Sequence, residues 1–72
     1  MIGVVHCHSG FRYAEKPVSF EYSGEPYKID QILSEGKSAH GYQFTVITHQ
    51  KSMFQLLYDE TQEQWLINPI NR

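Results

Sequence analysis

The sequence predicts an all-β domain: a small antiparallel meander of four to five strands that curls into a barrel or half-barrel. Apolar residues recur with a period of two along most of the chain, as expected for strands with one face in the core and one in water. Short polar, Gly-containing stretches separate these runs, so consecutive strands are joined by hairpins. Aromatic residues make up 14% of the chain, enough large side chains to fill a small interior.

In chain order, strands are expected at 17–23, 27–33, 42–49, 53–58 and 65–68. In "PVSFEYS", Val18, Phe20 and Tyr22 alternate with Ser19, Glu21 and Ser23, so the first set should face the core. "SGEP" follows, and Gly24 permits the positive φ of a tight hairpin turn. "YKIDQIL" sets Tyr27 and Ile29 against Lys28 and Asp30. Its final Ile32 and Leu33 break the alternation, either through a bulge or by packing on both faces. "SEGKSAHG", residues 34–41, is polar with two glycines and reads as an exposed loop. "YQFTVITH" points Tyr42, Phe44 and Val46 one way and Gln43, Thr45 and Ile47 the other. "MFQLLYD" puts Phe54, Leu56 and Tyr58 on a common face. A helix over "SMFQLLYDETQEQWL" is the competing reading, since Phe54, Leu57 and Tyr58 fit helical spacing. Strand is preferred because Asp59 to Gln64 then form a hairpin loop of ordinary length. Pro69 confines the last strand to an edge or ends it.

The 72 residues form a single domain, 1–72. A chain this short buries only about 60% of its unfolded surface, so its stability margin is thin. One cysteine rules out an intrachain disulfide, and no C-x-x-C pair supplies a common zinc framework. A net charge of −2, from six basic and eight acidic residues, disfavours a nucleic-acid or anionic-membrane partner. "MIGVVHC" lacks the basic region and long apolar run of a signal peptide. No stretch approaches the length of a membrane span, and a single Cys without export signals fits a reducing cytoplasm.

Beyond this residue-level reading, "CHSGFRYAEKPVSFEYSGEPYKIDQIL", "YQFTVIT" and "MFQLLYDE…QWLI" together resemble a family of small bacterial all-β domains. Pro17, Phe20, Tyr22, Gly24, Ile29, Ile32, Phe44, Val46, Phe54, Leu56 and Trp65 occupy the family's places, from a Pro-x-x-Phe strand to a terminal Trp. The resemblance spans most of the chain from Cys7 onward. It rests on core and turn positions, so it implies a fold and no assigned activity. Some members look like appendages of translesion-polymerase-like proteins, which implies a DNA-repair setting. The scattered Arg12, Lys16, Lys28, Lys37, Lys51 and Arg72 offer no basic run to match it.

"HCHSG", residues 6–10, holds three potential metal ligands in a row, His6, Cys7 and His8. On a regular strand His6 and His8 share one face and Cys7 takes the other, so the three cannot ligate one ion there. Zinc would need a third ligand, for which His40 and His49 are the candidates. The plainer reading makes Cys7 a small core residue beside Val5, with His6 and His8 facing away and Ser9-Gly10 turning the chain. A reactive Cys would need an orienting group and an oxyanion hole, and a meander this small has little concave volume for a substrate. Enzyme chemistry is not expected, and no cofactor is implied. "YDETQE" lacks the Gly and spacing of a calcium loop and reads as a solvated hairpin tip. Tyr13, Tyr22, Tyr27, Tyr42 and Tyr58 form a possible aromatic contact surface for stacking bases. Otherwise they line the core with their hydroxyls at its rim.

The function expected from these readings is that of a cytoplasmic, non-enzymatic interaction module with a protein partner. Exposed edge strands would accept a partner strand or pair two copies into a homodimer. The alternative is a single-stranded nucleic-acid binder or DNA-repair accessory domain. A metal-dependent sensor using His6 and His8 comes third.

Overall fold

A computed structural model describes residues 2–7 and 16–70. Six strands run in order: β1 (Ile2–Cys7), β2 (Pro17–Tyr22), β3 (Glu25–Ser38), β4 (Gly41–Thr48), β5 (Met53–Asp59) and β6 (Gln64–Ile70). Each pairs antiparallel with the next, and β1 pairs with β6 to close a barrel. Among the described residues there is no helix, so residues 52–66 form two strands and a loop, as preferred. The barrel has one strand more than the four to five expected, because "IGVVHC" is itself a strand. Expectations for Ser9-Gly10, His8, Tyr13, Arg12 and Arg72 lie outside the described residues.

The core is made by alternate residues of four strands: Phe20, Phe44, Val46, Phe54, Leu56 and Ile67 are buried. Phe44, Leu56 and Ile67 sit opposite one another across β4, β5 and β6, as Val46 does to Phe54. Phe20 reaches across from β2 to meet Phe54 edge to face, ring centroids 4.9 Å apart. Each such side chain contributes about 1.5–3 kcal/mol on burial, which is how a small chain without a disulfide holds together.

The two-residue turn Ser23-Gly24 joins β2 to β3 with φ of 53° and 79°, the doubly left-handed turn that matches strand twist. Thr48 opens the β4–β5 loop and is fully buried. Its Oγ1 accepts hydrogen bonds from the N–H groups of Gln50 and Ser52, so the buried hydroxyl is satisfied. Asp59 Oδ1 accepts from the N–H groups of Thr61 and Gln62, holding the β5–β6 loop where "YDETQE" was expected to turn.

Three expectations are corrected. Val18 was placed in the core but is 47% exposed. The β1–β2 register shifts between His6 and Cys7, whose partners are Ser19 and Pro17, so Val18 is the extra residue of a bulge and Pro17 is buried instead. Residues 34–38 of the expected loop belong to β3, and only Ala39 and His40 separate it from β4. β2 begins at Pro17 and covers β3 only up to Lys28, so both faces of the far end of β3 meet water and polarity there does not mean loop. β6 runs through Pro69, which lies opposite Phe54 of β5. Among the described residues β6 pairs with β1 at Trp65 and Leu66 and not beyond, so proline's missing N–H costs no ladder bond on that side.

The suspected irregularity at Ile32 and Leu33 is a bulge. The β3–β4 register skips Asp30 and then Leu33, leaving Leu33 47% exposed while Ile29 and Ile32 both pack against the core. Two bulges close together bend β3, so residues 25–28 pair with β2 and residues 29–38 with β4. Closure also alters the edge argument. The first and last strands of an open meander would each present an edge, but here they pair at Ile2↔Leu66 and Gly3↔Trp65.

Candidate interaction surface

The three described histidines, His6, His40 and His49, are dispersed. His6 on β1 is exposed, with Nε2 3.6 Å from Glu21 Oε2. His40 occupies the β3–β4 turn, and His49 in the β4–β5 loop stands 3.9 Å from Asp30 Oδ1. Among the described residues no group of three or more His, Cys, Asp or Glu side chains is placed to hold a metal ion. Cys7 follows the alternation expected of it: Gly3, Val5 and Cys7 take the more buried face of β1, and Ile2, Val4 and His6 the exposed one. Cys7 itself is half-buried.

The tyrosines divide between two parts of the barrel. Tyr27 stacks on Phe20 at 5.4 Å with the rings 8° from parallel, and Tyr22 meets Phe54 edge to face at 5.3 Å. Tyr42 packs against the core, while Tyr58 leans on Trp65 at 5.0 Å. Each of these four is half-buried, and Tyr22, Tyr27 and Tyr58 spend their rings on neighbouring aromatics, as core-lining side chains with hydroxyls at the rim would. Two of the lysines face carboxylates, Lys16 with Glu35 at 3.4 Å and Lys51 with Asp30 at 3.9 Å, whereas Lys37 lies opposite Tyr42 and lines a hollow with it.

The outer wall of β1, β6 and β5 carries a different feature. Ile2 lies directly opposite Leu66, and Leu66 directly opposite Leu57, so the three share the outward face of adjacent strands. Val4, two residues along β1, extends the row. Ile2 and Val4 are 62% and 51% exposed, while Leu57 and Leu66 are half-buried. Beside them opens a dent of about 210 Å³, lined by Leu57, Leu66, Tyr58, Ala39, His40 and Asp59 among others. The neighbouring outward row is polar, Thr45, Gln55 and Asn68, so the apolar strip has a boundary.

Reading the chain for its chemistry missed this strip. The signal was present in "MIGVVHC": Ile2 and Val4 alternate with Val5 and Cys7, so both faces of one strand are apolar. A barrel interior can bury only one of them.

The molecule is thus a small closed antiparallel β-barrel with an apolar strip on its outer wall. Compared with protein-family models, curated proteins and solved structures, the chain finds no match. No helix among the described residues is long and apolar enough to cross a membrane.

Proposed function

We propose that this domain is a cytoplasmic, non-enzymatic module that works by binding another protein, and that the outer wall of β1, β6 and β5 is its contact surface. The observation that carries the reading is the exposed apolar pair Ile2 and Val4, continuous with Leu66 and Leu57. Fully burying an aliphatic side chain contributes about 1.5–3 kcal/mol, so two that stand more than half exposed hold a sizeable binding energy in reserve. The interior cannot use them, because its positions are filled by Phe20, Phe44, Val46, Phe54, Leu56 and Ile67. Strand addition at an edge loses ground as the mode of binding, since β1 and β6 pair with each other. Nucleic-acid binding draws less support: Tyr22, Tyr27 and Tyr58 pack on other rings, and two of the lysines face carboxylates.

A photo-crosslinking amino acid at Val4, introduced in the native host, tests the reading against the same probe at Gln55 in the polar row. Adducts to a discrete protein from position 4 and none from position 55 are expected. Adducts to nucleic acid, or equal adducts from both positions, would overturn it.

A further inference from the structure

We propose that this outer wall docks a basic amphipathic protein segment, in which an apolar anchor side chain is flanked by Lys or Arg. The inference rests on the protein-binding reading above and adds the chemistry of the partner. The dent of about 210 Å³ at Leu57 and Leu66 is smaller than the roughly 300–1,000 Å³ of small-molecule sites. It suits one apolar side chain, and Ile2 and Val4 prolong it into a strip that can cover the flanks of that anchor.

Charge selects the partner. Glu21 lies directly opposite Val4 and has a half-exposed side chain, which puts a carboxylate on one margin of the strip. On the other margin stands Asp59, two residues beyond Leu57 on the same face of β5 and part of the wall of the dent. Glu60 follows, exposed, its N–H donating to the His40 carbonyl at 2.8 Å and so fixing that loop beside the dent. Among the described residues no Lys or Arg lines the dent; His6 and His40 stand near the strip, and Lys37 lines the adjoining hollow with Glu60. An apolar strip between carboxylates is complementary to a segment carrying the opposite charge. A second copy of this chain fits worse, because a two-fold contact would set acidic margins against acidic margins.

The test pans a phage library of random dodecapeptides against the immobilised protein, with the Val4→Glu variant as counter-selection. Enriched peptides are expected to carry Lys or Arg beside Leu, Ile, Met or Phe. Fluorescence anisotropy with the best synthetic peptide should show the Glu21→Gln/Glu60→Gln double variant binding about tenfold more weakly at low salt. That difference should shrink in high salt. Both variants change exposed side chains, and circular dichroism with a thermal melt checks that they keep the fold. Enrichment of acidic or uncharged peptides, or equal binding by the double variant, would overturn the inference. So would a wild-type dimer in sedimentation that Val4→Glu dissociates, which would make the occupant a second copy. If position 4 crosslinks a protein whose captured segment has no basic residues, this inference fails and the interaction reading stands. If nothing enriches and nothing crosslinks, both fail.

Discussion

Gly3 of β1 lies against Ile67 of β6 so closely that a Cβ at residue 3 would overlap the Ile67 Cδ1 atom. That Cβ would also stand 3.1 Å from the Glu21 carbonyl oxygen. Among the described residues the two strands that close the barrel pair at Ile2↔Leu66 and Gly3↔Trp65, so half of that pairing depends on a residue without a side chain. Ile67 is fully buried and has no room to retreat. Gly3→Ala is therefore expected to cost about 1–3 kcal/mol by overpacking. Gly36→Ala, whose nearest neighbour would be Gln43 Nε2 at 3.9 Å, should be neutral or stabilising by about 0.5 kcal/mol. Urea denaturation of the two variants checks the contrast, and equal losses would contradict it.

Thr48 and Ser52 hold the β4–β5 loop reciprocally: the Thr48 N–H donates to the Ser52 carbonyl at 2.8 Å, and the Ser52 N–H donates to Thr48 Oγ1 at 3.2 Å. Thr48→Val keeps the shape but strands the Gln50 and Ser52 N–H groups, at a cost of about 1–3 kcal/mol. Thr48→Ser retains the acceptor and should lose less. Thermal melts of both variants decide, with Ser outranking Val in stability.

At the β2–β3 turn a non-glycine residue, Ser23, sits at φ 53° ahead of Gly24 at φ 79°. Asn tolerates the left-handed region better than Ser, so Ser23→Asn should raise stability by up to about 1 kcal/mol. Gly24→Ala should lower it by at least as much, because a Cβ is strained at that φ whatever space surrounds it. A fall in melting temperature for Ser23→Asn would count against the turn geometry.

Cys7 shares the more buried face of β1 with Val5, and its partner across the bulge is Pro17. Its thiol should react several-fold more slowly with a disulfide reagent in the native protein than in the unfolded one. Chelators should leave the melting temperature unchanged, since His6, His40 and His49 are not gathered round a common point. A large fall on chelation would restore the metal reading.

How much was legible in the sequence differs from strand to strand. Alternation alone sets Phe44 with Val46 on one face of β4 and Phe54 with Leu56 on one face of β5, and all four are buried. The Ser23-Gly24 turn was legible because only a few residue types tolerate positive φ, and the loop from Asp59 to Gln64 because its length suits a hairpin. Val18 was misplaced because a bulge shifts the side-chain phase by one residue, and nothing local in "KPVSF" marks the extra residue. Residues 34–38 were misread because polarity signals a loop only where one face of a strand would otherwise be buried.

By itself the sequence determined the class of fold, the inward faces of β4 and β5 and the site of the Ser23-Gly24 turn. These depend on short-range chemistry: a period of two, large aromatic side chains, and the backbone freedom of glycine. Only the tertiary structure decided that β1 closes on β6, that β3 bends twice to serve both its neighbours, and that Ile2 and Val4 stand outside beside Leu57 and Leu66. The closure and the outer strip bring together residues more than fifty positions apart in the chain, and no local pattern encodes which of two apolar faces on β1 the barrel will enclose. Closure settles it, because the enclosed volume is finite and the second face is left outside.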